Sequence, residues 1–442
     1  MIYNKHTNIK LPKAVEDTLH YFESHDLWYL LSQNEESRSC RDAVQKRYRL
    51  GNRGIPLQDE LKSFFGKYSK NGKIYNVVIH CRADQHLDWN KIKVKLQSES
   101  KIDRLTENEL AQYFGFEYGT VNPFSLDPKF IRLPVQQLFD RSILENNLPP
   151  YTMMTNAGDL HWGIEFNPNE LLKKIDFKLV ADIIEDNNHV SRKQHKIGIL
   201  TGNGPESGIK LWNDINKGIR NELTTRFSGD VSFPNVNVQS VPEMGLSMEL
   251  EHREMQTWEY IKKVLISMCI DGCTIIALAC NTTQYFKEKI ENICHPFDTK
   301  LFSMEIAVDN YLTRHNIKTF DFLAIKYVTE FEKWSGFKEL NKKYKIVLPK
   351  KEDINKINIL GFQVKQKGVT GSNINKLRDL INQATSTNTV LIALTELSIL
   401  LESQKKKSKS GKVFIDTLEL LAKDIVDFYI EERYPAIDEN ID

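Results

Sequence analysis

Long apolar runs are missing from this 442-residue chain. None reaches the roughly 18 residues that cross a bilayer, so no membrane-embedded segment is expected. The opening "MIYNKHTNIKLPKAVEDTLHYF" has no apolar stretch of the signal-peptide kind. The expected location is therefore cytoplasmic. Charge of one sign is also lacking: the formal net charge is +1, so global charge demands neither nucleic acid nor a membrane surface as partner. Low-complexity tracts and solenoid periods are absent, and Gly and Pro are few, at 21 and 14. Cysteine is sparse. Cys40, Cys81, Cys269, Cys273, Cys280 and Cys294 fit reduced thiols. Cys269 and Cys273 lie four apart, but no histidine or second cysteine pair completes a zinc pattern, so no metal is expected. What remains is an ordinary globular composition, 40% hydrophobic and 27% charged, with room for two or three domains.

The clearest break is "IIEDNNHVSRKQHK", 183 to 196, which is polar, charged and aperiodic as linkers are. After it, "IGIL" reads as a short buried strand. A glycine-rich turn, "TGNGPESG", and the helical pattern "IKLWNDINKGIRNEL" follow. Strand, turn and helix recur at "CTIIALACNTTQYFKEKIENI", and "FDFLAI" and "NTVLIALTELSILL" add two more buried strands that lead into helices. Apolar strands alternating with helices argue parallel sheets flanked by helices. The spacing from "GIL" to "ACNT" is near that from "FLA" to "ALTE", which points to two similar halves. The first 180 residues mix scattered strands, "YNVVIHCRA" and "WGIEFN", with a helix "TENELAQYFGF". That helix has Thr106 as N-cap and Glu109 three residues on. "YGTVNPFSL" is a turn built on Gly119, Asn122 and Pro123. This part is expected to be α+β. Near the C-terminus, "SQKKKSKSGK" reads as a solvated loop. "GKVFIDTLELLAKDIVDFYIEE" then gives a short strand and a long amphipathic helix, with Val413, Leu418, Leu421, Ile425 and Phe428 on its core face.

Two stretches share a build. "LACNTTQYF" (278–286) places Cys280 directly after an apolar run, at a strand mouth. "LIALTELSILL" (391–401) repeats the run and continues with Thr395 and Glu396, but holds Leu394 where a matching thiol would stand. Out of context a cysteine at a strand end is a small buried hydrophobe. A third stretch, "RSCRDAVQKRYRLGNR" (38–53), gathers Arg38, Arg41, Lys46, Arg47, Arg49 and Arg53 around Tyr48 with one acid, Asp42. Clustered cations beside an aromatic suit a phosphate backbone and an exposed base. A solvated helix face balanced by acids elsewhere is the plainer reading.

From 196 to about 430 the chain resembles the aspartate/glutamate racemase family. The resemblance rests on "GILTGNGPES", "ACNT", "LTEL" and "FIDT" in that order. It implies two pseudo-symmetric α/β (Rossmann-like) halves with the active site between them, each usually offering one cysteine. Racemisation removes the α-proton on one face of an amino acid and returns one on the other. A thiol of pKa about 8.5 needs local donors to act as thiolate. By the resemblance Cys280 is catalytic, Asn281 and Thr282 supply donors, and Gly202, Asn203, Gly204 and Ser207 hold a carboxylate at a helix start. Thr395 and Glu396 match the second motif without its cysteine. The histidine that often follows the first motif is Gln284, and only Ser335 and Gly336 survive of the second half's Gly-Thr…Ser-Gly pattern.

Residues from about 15 to 180 resemble the YbaK/prolyl-tRNA editing family of aminoacyl-tRNA deacylases. The pieces are "LKSFFGKY", then the strand "YNVVIHC", "DQHLDWNKIKVKL", "LTENELAQYFGFEYGTVNPF" and "TNAGDLHWGIEFNPNELL". By this resemblance Lys62, shortly before that strand, holds the aminoacyl ester or the tRNA end, a role suited to a mobile ammonium with three donors. Gly119 to Pro123 form the loop near the scissile ester, and Asn156, Ala157 and Gly158 a second wall.

The expectation is thus a YbaK-like deacylase domain (1–182), a linker (183–195) and a racemase-like domain (196–442). Together they form a bifunctional amino-acid enzyme acting through Cys280 and Lys62. Two alternatives stand beside it. One is an editing deacylase whose C-terminal domain, lacking the second cysteine, only binds an amino acid. The other is a non-catalytic binding protein. The partners expected are an aspartate- or glutamate-like amino acid, aminoacyl-tRNA met through Arg38, Arg41, Lys46, Arg47 and Arg49, and a second copy of the chain. Neither a membrane nor a cofactor is expected.

Overall fold

A computed structural model describes residues 9–49, 55–126, 135–145, 148, 150–176, 178–186, 192–227, 229–403 and 411–434. Of these, the residues up to Lys193, Leu223–Phe233 and those from Glu431 on form one compact unit. Gln194–Glu222 and Pro234–Ile430 form the other. The break expected as a linker is thus part of both. Ile183 and Ile184 are fully buried in the first unit, where buried Arg192 pairs with Asp59 at 2.8 Å. His195 packs on Phe428 in the second. Two short segments also return to the first unit from stretches expected to belong wholly to the C-terminal domain.

The first unit holds two sheets. Its strands are β1 (Tyr29–Gln33), β2 (Leu61–Lys70), β3 (Lys73–Arg82), β4 (Asp103–Arg104), β5 (Val135–Asp140), β6 (Met153–Asp159), β7 (Trp162–Phe166) and β8 (Lys178–Ala181). One sheet runs β4-β2-β3-β5-β8 and the other β1-β7-β6. β2 and β3 form a hairpin closed by Asn71-Gly72, both at positive φ, the pair that a two-residue turn between right-twisted strands favours. Lys62 therefore lies inside β2, the strand that precedes the one bearing "YNVVIHC". Successive side chains of β2 point to opposite faces. Phe64 packs with Ile79, Cys81 and the helix Trp89–Leu96 on one face. Phe65 packs with Val78 and the helix Glu107–Phe114 on the other. The Thr106–Glu109 capping box is present at the start of that second helix.

The second unit is two all-parallel sheets. The first uses β9 (Lys196–Thr201), β10 (Asn235–Ser240), β11 (Ile275–Leu278) and β12 (Lys300–Phe302) in the order β10-β9-β11-β12. The second uses β13 (Thr319–Ala324), β14 (Lys345–Val347), β15 (Thr389–Ala393) and β16 (Val413–Asp416) in the order β14-β13-β15-β16. Both therefore run second, first, third, fourth, the repeat expected of two matched halves. Their central strands are buried on both faces, which is why they read as unbroken apolar runs. The last helix is Thr417–Arg433 and buries Leu418, Leu421 and Ile425. Val413, expected on the same helix face, lies instead in β16 and is 53% exposed. The helix starts only after Asp416, whose carboxylate accepts the Leu418 amide at 2.9 Å. Most of the lysine-rich loop before it, 404–410, lies outside the described residues. Among the described residues no helix is long and apolar enough to cross a membrane, and no group of His, Cys, Asp and Glu could hold a metal.

Candidate functional site

The first unit contains a cavity of about 230 Å³ walled by β2, the turn at Gly119, β6 and the helix Cys40–Arg49. Lys62 lines it. The Lys62 ammonium donates to the carbonyls of Ala83 (3.3 Å) and Gln85 (2.5 Å), and it lies 5.6 Å from the centre of the Phe64 ring. Two fixed acceptors orient a group that is otherwise mobile, leaving a further N–H for a ligand.

The opposite wall is stitched from two segments far apart in sequence. The Asn122 side chain, fully buried, accepts from the amides of Phe124 (3.0 Å) and Ser125 (2.8 Å). That closes an Asx turn after Gly119, whose φ of +89° suits glycine. Asn122 also donates to the Asn156 side chain at 3.2 Å, and Asn156 donates to the Val121 carbonyl at 3.0 Å. Gly119 and Asn156 line the cavity. Pro123 and Gly158 stand behind it: the Pro123 carbonyl accepts from Gln137, and the Gly158 amide donates to Asn156.

The expected tRNA-facing cations fare unevenly. Arg38 and Arg41 line the cavity, Arg38 bridging Glu36 and Glu117. Lys46 is held by Asp42 at 2.7 Å. Arg47 is a correction: it is 3% exposed and ion-paired with buried Glu60, so it cannot reach a phosphate backbone without breaking that pair. Arg53 and the side chains of Tyr48 and Arg49 lie outside the described residues. Cys40 also lines the cavity; burial, with Glu60 nearby, pushes its thiol up to about 12, so it stays protonated. Sequence reasoning missed Arg104. Its guanidinium sits at the cavity in the corner of Phe64 (4.6 Å) and Trp89 (5.1 Å), without a hydrogen bond or ion pair among the described residues. A two-residue strand far from both rings gave no signal for it.

In the second unit, Cys280 follows β11 and is 7% exposed. The Ala279 amide bonds Leu200, so the ends of β9 and β11 stand side by side. Among the described residues, both polar atoms of the Asn281 side chain are buried without a partner, as is Ser207 Oγ. Thr282 is buried beside them. At the β9 end the backbone opens into Gly202 (φ +132°) and Gly204 (φ +138°). A Cβ on Gly202 would lie 2.0 Å from the Val241 carbonyl oxygen, so only glycine fits there. Asn203 donates to Ser247 at 3.1 Å. The other half meets this turn. A Cβ on Gly204 would come 2.9 Å from Glu396 Oε1. The Lys365 ammonium donates to the Asn203 carbonyl and pairs with Glu396 at 2.6 Å. Glu396 and its neighbour Thr395 are buried. Leu394, 4% exposed, lies against Gly361, one helical turn before Lys365. Lys365 escaped the sequence reading because nothing in "FQVKQK" marks one of its two lysines over the other. Gln284 holds the backbone, donating to the carbonyls of Leu278 (3.3 Å) and Cys280 (3.1 Å) and accepting the Met304 amide. Gly336 sits directly on Gln284, and Ser335 bonds the Val328 carbonyl.

Residues 40–160 match the family of aminoacyl-tRNA editing domains. No curated protein matches the chain. Similar solved structures include a putative Asp/Glu racemase from Yersinia pestis, 16% identical, covering 53% of this chain and 99% of that one with a TM-score of 0.42. Another is an aspartate racemase homologue from Pyrococcus horikoshii OT3, 18% identical, covering 53% and 98% with a TM-score of 0.39. A third is glutamate racemase from Francisella tularensis with D-glutamate, 11% identical, covering 56% and 85% with a TM-score of 0.38. The editing-domain match spans the helix that bears Cys40, the strand that bears Lys62 and the Gly119 and Asn156 walls.

Proposed function

We propose that the chain is a bifunctional amino-acid protein. Its editing domain hydrolyses the ester of an aminoacyl-tRNA at Lys62, and its second unit holds an aspartate- or glutamate-like amino acid beside Cys280. The observation that carries the first half is the Lys62 ammonium, fixed by two carbonyls on the wall of a cavity built for a small group. Water adds to the ester carbonyl, and negative charge develops on the carbonyl oxygen. A preorganised ammonium stabilises that charge without having to reorganise. The carbon–oxygen bond to the terminal ribose then breaks, and the ribose oxygen takes up a proton. The Gly119 turn and Asn156, locked to each other, bound the space for the aminoacyl group.

For the second unit, Cys280 at the strand end beside the unpartnered Asn281 amide supports an amino-acid site. Leu394 neither donates nor accepts a proton, which favours binding or chemistry on one face over two-sided racemisation. Two sites on one chain raise the effective concentration of a shared ligand, and deacylation releases the kind of molecule the second unit would bind.

The test is a panel of charged tRNAs offered to wild type, Lys62→Ala and Cys280→Ala. Lys62→Ala is expected to lower hydrolysis at least a hundredfold, and Cys280→Ala to leave it unchanged. Absence of deacylation by wild type across the panel, or dependence on Cys280 in place of Lys62, would sink the proposal.

A further inference from the structure

The editing cavity has a second wall whose hydrogen-bonding sense is fixed from deep inside the protein. Ser63, on β2 beside Lys62, lines the cavity and is paired across the hairpin with His80. Its Oγ lies 2.9 Å from His80 Nδ1. His80 is fully buried, stacked on Phe139, and its Nε2 lies 3.0 Å from Gln137 Oε1. Gln137 Nε2 in turn donates to the Pro123 carbonyl at 3.2 Å.

That last bond decides the others. A carbonyl oxygen only accepts, so the amide nitrogen of Gln137 must face Pro123 and its oxygen must face the ring. His80 Nε2 must then carry the proton, because a bare nitrogen there would oppose a bare oxygen. Nδ1 is left as the lone pair and accepts the Ser63 hydroxyl proton. The ring is neutral: burial lowers its pKa to about 3, outweighing the Gln137 bond. The Ser63 oxygen is left with acceptor capacity alone. Two more acceptors line the same cavity. Thr155 directs its hydroxyl proton to the Leu61 carbonyl at 3.3 Å. Asn34, 8% exposed, has an Oδ1 that is buried with no partner among the described residues.

We infer that Ser63, with Thr155 and Asn34, forms an acceptor wall that binds the α-ammonium group of the aminoacyl ligand. An ammonium brings three N–H donors and no acceptor, the complement of such a wall. Two carboxylates line the cavity: Glu60 is closed on Arg47, and Asp159 accepts the His161 amide at 2.8 Å, so the neutral oxygens of this wall read the amine alongside Asp159. The inference rests on the deacylase reading and deepens it. The site would require a free amine and reject ligands in which that amine is acylated.

The test uses two non-hydrolysable probes, 3′-alanylamino-3′-deoxyadenosine and its N-acetyl form, titrated calorimetrically into the full chain. Wild type should bind the free amine at least tenfold more tightly, the scale of a hydrogen bond to a charged group. Ser63→Ala should shrink that ratio severalfold while leaving binding of the N-acetyl probe unchanged, and Ser63→Thr should keep most of it. Equal wild-type binding of both probes overturns the inference and leaves the deacylase reading standing. So does an equal loss of both in Ser63→Ala, which would make Ser63 merely structural. Binding of neither probe by wild type overturns both. A 2′-deoxy free-amine probe separates the remaining donor. If its deficit against the 2′-hydroxyl form vanishes in Ser63→Ala, the ribose hydroxyl and not the ammonium sits on Ser63.

Discussion

Burial of a neutral histidine makes the first unit acid-sensitive in a calculable way. In the unfolded chain His80 has a pKa of about 6.5. In the fold burial holds it at about 3. Below pH 6.5 the unfolded chain takes up a proton that the native state refuses. Stability is therefore fully present above about pH 6.5 and falls with pH until about pH 3. The slope is about 1.4 kcal/mol per pH unit, and the ring is wholly buried, so no discount for solvent applies. Between pH 7 and pH 5 the loss is about 2 kcal/mol, a large share of a typical folding free energy. Glu60, whose carboxyl burial raises despite Arg47, shifts stability in the opposite sense. The measurement must therefore compare two proteins. Urea unfolding of wild type and His80→Gln, followed at pH 7 and pH 5, cancels every group but one. Wild type should be the more stable at pH 7, and its advantage should shrink by about 2 kcal/mol at pH 5. An advantage of the same size at both pH values would show that His80 titrates alike in both states and that the neutral relay to Ser63 does not exist.

Two further outcomes follow from the second unit. Lys365→Met strands buried Glu396 without its cation and should destabilise that unit by about 2–3 kcal/mol in thermal unfolding, with most of the loss recovered in Lys365→Met/Glu396→Gln. In heavy water, wild type should not invert free aspartate or glutamate, as read by NMR and chiral chromatography. Leu394→Cys alone should not create inversion, because a new thiol there lacks the supporting contacts that place a proton-transfer group; rapid inversion by wild type would reveal another acid.

How much of this was legible depended on the range of the interactions. The matched halves were visible because parallel strands buried on both faces leave apolar runs, and β11 and β15 keep them intact. The capping box at Thr106 was legible because it is local, three residues wide. The strand that carries Lys62 was not identified. "LKSFFGKYSK" follows no clean alternation, since both faces of β2 meet a core, through Phe64 and Phe65, while Lys62 and Ser63 near its start line the cavity. Arg47 was misjudged for a related reason: sequence shows six cations near one acid, but not that Glu60, thirteen residues on, folds back beneath the helix. The Ser63–His80–Gln137 chain joins three strands and could not be read from any one segment. Arg104 and Lys365 are likewise defined only by what the fold brings to them.

The second unit builds two matched strand ends and arms one, and its contacts give a physical reason for that asymmetry. On the β11 side the end is polar: among the described residues Asn281 has two buried polar atoms without partners, a cost of some 1–3 kcal/mol per group. On the β15 side the corresponding position has become packing. Leu394 fills space against Gly361, Glu396 is ion-paired with Lys365, and Ser398 donates to Asp416 at 2.8 Å. Lys365 reaches from that second half to the Asn203 carbonyl in the turn of the first, so the ion pair also ties the two halves together. The β15 side thus carries packing and a charged brace where the β11 side carries Cys280 and Asn281. The loss of the second thiol is thus accompanied by a rebuilt wall, which a single substitution at residue 394 would not undo.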